Sequence, residues 1–171
     1  GLNMTWESLE GIVKHNGPVE SKKLPVTLAM IQKQTDLRLN TYASIEAQVA
    51  ALADDIAYNN HDVEDGLRAK LFTFDDLATV PLLNGIMKRV RDEYPDIDDH
   101  YFICEIVREM IGAMVMDVLN ETKARLSVLN PETPDDIRAA DRPMVAFSEG
   151  MFVQVEQLRA FLRTRMYHHY K

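Results

Sequence analysis

The side chains best suited to chemistry lie in one stretch of the sequence, residues 46–66. Apolar residues recur there at helical spacing, which predicts one long helix. At about 100° per residue, five polar side chains fall within an arc of about 100° opposite the apolar stripe. These side chains are Asp54, Tyr58, His61, Asp62 and Asp65. Three small residues continue the arc toward the start of the helix, where another wall of the protein is expected to pack closely: Ala47, Ala50 and Ala51.

The spacing of these residues limits what they could bind. Asp54 and Asp62 are two helical turns apart, about 12 Å along the axis, which is too far for easy sharing of one metal ion. They could instead line one elongated ligand, with Tyr58 between them. A metal-bound phosphate at one end and a sugar hydroxyl at the other would fit that length. The alternative is a polar face that touches solvent, or a tyrosine hydroxyl bonded to a neighbouring acid, and the pattern alone leaves both open.

Other candidate sites carry weaker signals. The acidic stretches at 62–66 and 96–99 do not match the register of an EF-hand calcium loop. No glycine-rich phosphate loop, HExxH motif or GxSxG motif occurs. The single cysteine, Cys104, lies in an apolar run, which predicts a buried and inert thiol. Four basic residues form a small group, either in a solvated loop or in contact with a phosphate: Lys14, His15, Lys22 and Lys23.

Length and composition indicate one globular domain. The chain has 171 residues, a net charge of −8 and 46% hydrophobic residues, enough for a core without a disulfide or zinc. The acidic balance argues against general nucleic-acid binding. The longest apolar stretch, 110–119, is too short to span a bilayer, and no signal-peptide pattern appears. We therefore expect a cytoplasmic protein without a membrane partner.

Helical periodicity runs through nearly the whole sequence, and no alternating strand pattern appears. Thr5, Thr73 and Thr133 each precede acidic residues as helix N-caps do, and Asp96 is a further candidate cap. The predicted fold class is therefore all-α, a helical bundle in which residues 1–171 form a single unit. The longer helices are expected at about 5–14, 44–71, 81–93, 96–126 and 148–170, and a short helix is expected at 28–34.

Four runs of the sequence point to a known family. The most specific is Ala-Asp-Asp-Ile-Ala-Tyr at 53–58, within the longer run 46–68. The supporting runs cover 2–18, 111–117 and 158–167. In this order they resemble the C-terminal part of the bacterial deoxyguanosinetriphosphate triphosphohydrolase-like proteins of the HD superfamily. The resemblance covers nearly the whole chain.

This resemblance implies roles for three residues of the long helix. Asp54 matches the fourth metal ligand of the family, and Tyr58 and Asp62 match positions that hold the deoxyribose with its 3′-hydroxyl. The family builds its metal site from a His, a His-Asp pair and a distant Asp, and this sequence matches only the last element. His61-Asp62 is not the metal-binding pair, which normally stands upstream in a His-Asp-x-Gly-His context. The chain is therefore expected to lack the upstream His and His-Asp elements.

The resemblance also implies a reaction. The whole enzyme would convert a deoxynucleoside triphosphate such as dGTP to the deoxynucleoside and inorganic triphosphate, through a metal-activated water that attacks the α-phosphorus. The divalent metal would be Mg²⁺ or Mn²⁺, absent or weakly bound in this part alone, which is expected to be inactive. Association of identical copies is expected. Two alternatives stay open: a helical interaction or oligomerisation module without catalysis, and an HD-type nucleotide phosphohydrolase of other specificity.

Overall fold

All regular structure in the described part of the chain is helical. The computed structural model describes residues 2–19 and 24–168. Its helices are α1 (Trp6–Val13), α2 (Val26–Gln34), α3 (Ile45–Arg68), α4 (Phe74–Leu77), α5 (Pro81–Glu93), α6 (Asp99–Leu129), α7 (Pro134–Arg138) and α8 (Glu149–Leu162), followed by a π-turn (Arg163–Tyr167). The predicted all-α class is confirmed. None of these helices combines the length and the apolar character that crossing a membrane requires.

Side-chain caps explain where most helices begin. Thr5 caps α1, and Thr73 and Thr133 form complete capping boxes with the acid three residues later. The predicted Asp96 cap of α6 is wrong, because Asp98 occupies that role. Its carboxylate accepts the backbone N–H groups of His100 and Tyr101 at 2.9 and 3.2 Å. An acid directly before the first turn satisfies those free donors better than one two residues earlier.

Two helices end earlier than the sequence predicted. Helix α3 ends at Arg68 rather than near residue 71, and Lys70 follows with a positive φ of 57°. Helix α8 ends at Leu162, where a π-turn replaces the expected continuous helix toward residue 170. Residues 169–171 lie outside the described residues.

The helices group into two compact units. The first contains the residues up to Ala53 and Glu121–Ala146; the second contains Asp54–Asn120 and the residues from Phe147 onward. Helices α3 and α6 each contribute to both units.

Charged side chains are buried in the core of the first unit. Glu10 is fully buried, and Lys14 donates to its carboxylate at 3.0 Å. Arg138 binds the same carboxylate through Nε and Nη2, each at 3.0 Å. Lys14 also donates to the Thr41 hydroxyl at 2.8 Å. Burial lowers the pKa of Lys14, although Glu10 acts in the opposite direction.

The second unit has an apolar core built mainly from α3, α5, α6 and α8. Its buried side chains include Ile56, Val63, Leu67, Leu83, Ile86, Phe102, Ile106, Met110, Met114, Leu158 and Leu162. The α3 members of this core belong to the apolar stripe that the periodicity predicted. Buried amides complement it: Asn60 donates to the Ile56 carbonyl at 2.7 Å, one turn earlier, which satisfies its N–H inside the core.

Gly66 allows the end of α3 to pack against Phe72. A Cβ at Gly66 would lie 2.1 Å from Phe72 Cζ, and the buried Phe72 ring is held edge-on by Phe161 at 5.2 Å. We therefore expect Gly66→Ala to destabilise the protein by about 1–3 kcal/mol, measured by urea unfolding. Gly85→Ala in α5 is the control, because its Cβ would meet nothing closer than 3.8 Å. Equal stability of the two variants would contradict this packing.

Candidate functional site

Helix α3 carries the three residues to which the resemblance assigns roles, and they differ in exposure. Asp54 is exposed, and Tyr58 is 58% exposed. Asp62 lies one turn beyond Tyr58 and is only 8% exposed. His61 and Asp65, which the helical wheel placed in the same arc, are exposed. Of the five polar residues in this arc, only Asp62 is buried, and it lies at the edge of the core.

A tyrosine from the end of the chain holds Asp62. The Tyr167 hydroxyl donates a hydrogen bond to Oδ2 of Asp62. The pKa of Tyr167 is raised, first by burial of its hydroxyl, then by Asp62 and by Tyr58 beside it. Each of these surroundings favours the protonated phenol, which is the form that donates to a carboxylate. Tyr58, Asp62 and Tyr167 thus form one polar cluster, called here the tyrosine–aspartate cluster.

The sequence analysis did not identify Tyr167 as a site residue. Its position depends on the π-turn after α8, in which the His168 N–H donates to the Arg163 carbonyl at 3.1 Å. Arg165 in the same turn forms an ion pair with Asp76. No local sequence pattern predicts such a turn, and Asp62 lies 105 residues before Tyr167 in the sequence. The run 158–167 within the family resemblance was the available signal.

Asp54 and its neighbour Asp55 have different surroundings. Asp55 pairs with Arg159 of α8 at 3.0 Å. Among the residues described, Asp54 takes part in no ion pair. Adjacent residues on a helix point about 100° apart, so the two carboxylates face different directions. The Asp55 carboxylate is thus directed toward Arg159 of α8 and away from that of Asp54.

The alanines near the start of α3 line a cavity in the first unit. The cavity has a volume of about 770 Å³, and its walls include Ala47, Ala50, Ala51, Ile12 and His15. Its other wall is α1, where a Cβ on Gly11 would lie 3.1 Å from the Ala47 Cβ. The predicted close approach of another wall is therefore present at Ala47, whereas Ala50 and Ala51 line the cavity.

The described residues do not by themselves fit a metal ion. Within residues 2–19 and 24–168, no three His, Cys, Asp or Glu side chains converge as a ligand set. One exposed carboxylate, Asp54, holds Mg²⁺ or Mn²⁺ poorly, since these ions need several oxygen ligands. The role of Asp54 as a metal ligand stays a prediction.

Two minor predictions need correction. Lys14 belongs neither to a solvated loop nor to an open phosphate site, because Glu10 engages it in the core. His15 is exposed, and Lys22 and Lys23 lie outside the described residues. Cys104 is exposed rather than buried. Its apolar run forms a helix, so Phe102 and Ile106 turn inward while Cys104 turns outward.

These features define an all-α protein with a polar cluster on its long helix α3. Comparison with known proteins shows which proteins it is similar to. No family model matches the sequence. The whole chain aligns at 51% identity with a deoxyguanosinetriphosphate triphosphohydrolase-like protein from Parvibaculum lavamentivorans. The whole chain also aligns at 53% with one from Caulobacter sp. strain K31, and 98% of it aligns at 49% with one from Rhizobium johnstonii.

The predicted family resemblance is thereby confirmed. Over its whole length the chain is similar to deoxyguanosinetriphosphate triphosphohydrolase-like proteins. It spans 44%, 44% and 43% of the lengths of the three relatives named above.

Proposed function

We propose that this chain is part of a longer hydrolase that converts a deoxynucleoside triphosphate, with dGTP as first candidate, to the deoxynucleoside and triphosphate. One observation carries this proposal. Over the whole chain, about half of all residues are identical in relatives named deoxyguanosinetriphosphate triphosphohydrolase-like proteins. The tyrosine–aspartate cluster supports it, because it supplies groups that suit a sugar.

Within this proposal, Asp62 and Tyr58 bind the deoxyribose. A carboxylate accepts a hydrogen bond from a sugar hydroxyl, and a desolvated acceptor discriminates strongly against analogues that lack the donor. Asp62 is buried, so it meets this condition. Tyr58 is 58% exposed one turn earlier on α3, where it would contact the same sugar.

Asp54 would connect the sugar end of the site to the phosphates. It precedes Tyr58 by one turn of α3, about 6 Å along the axis. In the proposal Asp54 is one ligand of a divalent ion, Mg²⁺ or Mn²⁺, whose other protein ligands belong to the rest of the longer protein. A bound ion of this kind activates water and neutralises phosphate charge. The 171-residue chain by itself is then inactive.

The alternative of a helical interaction module has one structural feature in its favour. The exposed face of α6 in the second unit carries several apolar side chains: Ile111, Val115, Met116 and Leu119. Exposed apolar faces of this kind favour association with another protein surface. Association of identical copies remains a prediction, and it is compatible with the hydrolase proposal.

The proposal is tested by product analysis. The longer protein that contains this chain is incubated with dGTP and Mg²⁺ or Mn²⁺, and the products are separated by anion-exchange chromatography. We expect deoxyguanosine and inorganic triphosphate in equal amounts, with no reaction from the 171-residue chain alone. Release of pyrophosphate or of single phosphates would contradict the proposed reaction and favour a phosphohydrolase of another kind.

A further inference from the structure

The cavity of the first unit presents an apolar surface that the described residues leave uncovered. Its two helical walls are α1 and the start of α3. Ile12 lines it from α1 and is 58% exposed, although its side chain is large and apolar. Ala50 lines it from α3 and is also exposed. Apolar surface that stays open in this way is typical of a place where another protein surface packs.

The buried polar side chains in the cavity walls are already engaged within the protein. Arg138 binds Glu10 at 3.0 Å and Asp135 at 3.0 Å. The buried Ser44 hydroxyl accepts the backbone N–H of Ala47 at 3.4 Å. A site for a small molecule needs a few free polar groups that converge on the ligand and fix its orientation. These walls therefore favour an apolar protein segment over a small polar ligand.

Two exposed carboxylates in the walls have no cation beside them. Glu7 and Glu46 both line the cavity, and within residues 2–19 and 24–168 neither takes part in an ion pair. Hydrogen bonds from its own backbone N–H and from Ser44 lower the pKa of Glu46, so its carboxylate is charged at neutral pH. A surface of opposite charge would complement this edge of the cavity. The expected occupant therefore carries a Lys or Arg beside its apolar residues.

We propose that a segment of the longer protein, from outside these 171 residues, packs into this cavity with its apolar side chains and with a Lys or Arg at the edge. The proposal rests on the proposed function, in which the chain is part of a longer protein. The chain spans at most 44% of the lengths of the relatives named above, so more than half of such a protein is available to cover the cavity.

The size of the cavity favours a segment of the same polypeptide over a second copy. Twelve residues form the walls. A stable interface between separate proteins takes about 20–30 residues a side. A segment of the same polypeptide is held at a high effective concentration, so a smaller contact is enough to keep it in place.

Cysteine labelling in the longer protein measures whether the cavity is covered. The reaction of Ala50→Cys with a maleimide is followed by peptide mass spectrometry in the native and in the urea-unfolded protein. We expect the native protein to react at least about 100-fold more slowly, because the site opens only when the segment leaves. Ala124→Cys is the matched control, since Ala124 is an exposed helical alanine of the first unit that does not line the cavity. Protection at Ala50 no greater than at Ala124 would overturn the proposal.

Photo-crosslinking identifies what covers the cavity. A photoreactive diazirine side chain replaces Ile12 in the longer protein, and the linked peptides are sequenced after irradiation. We expect a link to a peptide from outside the 171 residues, at the monomer mass on a denaturing gel. A link at twice the monomer mass would identify a second copy and overturn the proposal. A protein without any link at this position would overturn it as well.

The double variant Glu7→Gln, Glu46→Gln tests the charge of the occupant. It keeps the shape of both side chains and removes the charges that a Lys or Arg would meet. We expect the native labelling rate of Ala50→Cys to rise about threefold in this background, as loss of exposed ion pairs allows. An unchanged rate would overturn the basic residue in the proposal.

These experiments need no substrate, so this proposal and the proposed reaction fail separately. A protected Ala50→Cys in a longer protein that releases no triphosphate overturns the reaction and leaves the packing in place. A protein that cleaves dGTP while Ala50→Cys reacts as freely as Ala124→Cys overturns the packing alone.

Discussion

Replacement of Asp54 by alanine in the longer protein is expected to abolish cleavage of dGTP, with a loss of well over about 100-fold in kcat. Mutation of residues that only orient metal ligands lowers metal affinity or activity about 10- to 100-fold. Loss of a ligand itself should lower activity by more than that. Asp54 is exposed on α3 and, within the described residues, has no ion pair to keep it from a ligand. The measurement is steady-state triphosphate release, together with the metal content of the purified protein.

The neighbouring acid supplies the control. Asp55→Asn removes an equal charge one residue away but breaks a partly exposed ion pair with Arg159. Such pairs contribute about 0–1 kcal/mol, so activity within about twofold of wild type is expected. Full activity and full metal content in Asp54→Ala would refute the role of Asp54 as a metal ligand. They would also refute the argument that Asp54, and not Asp55, faces the site. Equal losses of activity in Asp54→Ala and Asp55→Asn would indicate that the overall negative charge of this part of α3 matters, and not a specific ligand.

Patterns of neighbouring residues predicted many of the helix starts and ends. Thr73 and Thr133 are followed by acids three residues later, and both capping boxes form as those residue types require. The helix at 81–93 was predicted with its observed bounds, because Pro81 suits a first helical turn and Pro95 follows the end. Each of these features depends on residues within a few positions of one another, which is why the sequence shows them.

Features that depend on distant partners were missed. Lys14 is buried with Glu10 and the Thr41 hydroxyl as its partners, and Arg138, which binds the same Glu10, lies 128 residues beyond it in the sequence. Tyr167 reaches Asp62 through a π-turn that no periodicity predicts. In both cases a polar side chain looks solvent-exposed until its partner is known. Asp54 was found in the sequence because the motif 53–58 is specific, and its placement on an open face required the helical period alone.

The largest expected effect on stability comes from Glu10→Gln. Glu10 is fully buried and accepts from Lys14 and from two nitrogens of Arg138, each at 3.0 Å. The amide keeps the shape but leaves the buried Lys14 without a counter-charge, and Arg138 with only the exposed Asp135. Loss of one partner from a buried pair costs about 3–5 kcal/mol, a large part of the stability of a typical domain. Urea unfolding at about pH 7 measures the loss.

Asp135→Asn is the matched control at the exposed end of the same network. Asp135 pairs with Arg138 and with Arg38, each at 3.0 Å, and its side chain is 60% exposed. Exposed pairs contribute little, so a change below about 1 kcal/mol is expected. If Asp135→Asn cost as much as Glu10→Gln, the overall charge of the network and not burial at Glu10 would dominate.

The pH dependence of the Glu10→Gln variant tests the cause of its instability. The pKa of Lys14 is already lowered by burial, and removal of Glu10 takes away a charge that raises it. A folded-state pKa below the unfolded value means that the unfolded chain binds more protons between the two values, so stability rises with pH across that interval. The deficit of Glu10→Gln relative to wild type should therefore narrow as the pH is raised from about 7 toward about 10, because the folded variant, without Glu10, releases the Lys14 proton at a lower pH than the folded wild type does. A deficit that stays constant over this interval would show that lost packing, and not an unpaired Lys14 ammonium, destabilises the variant.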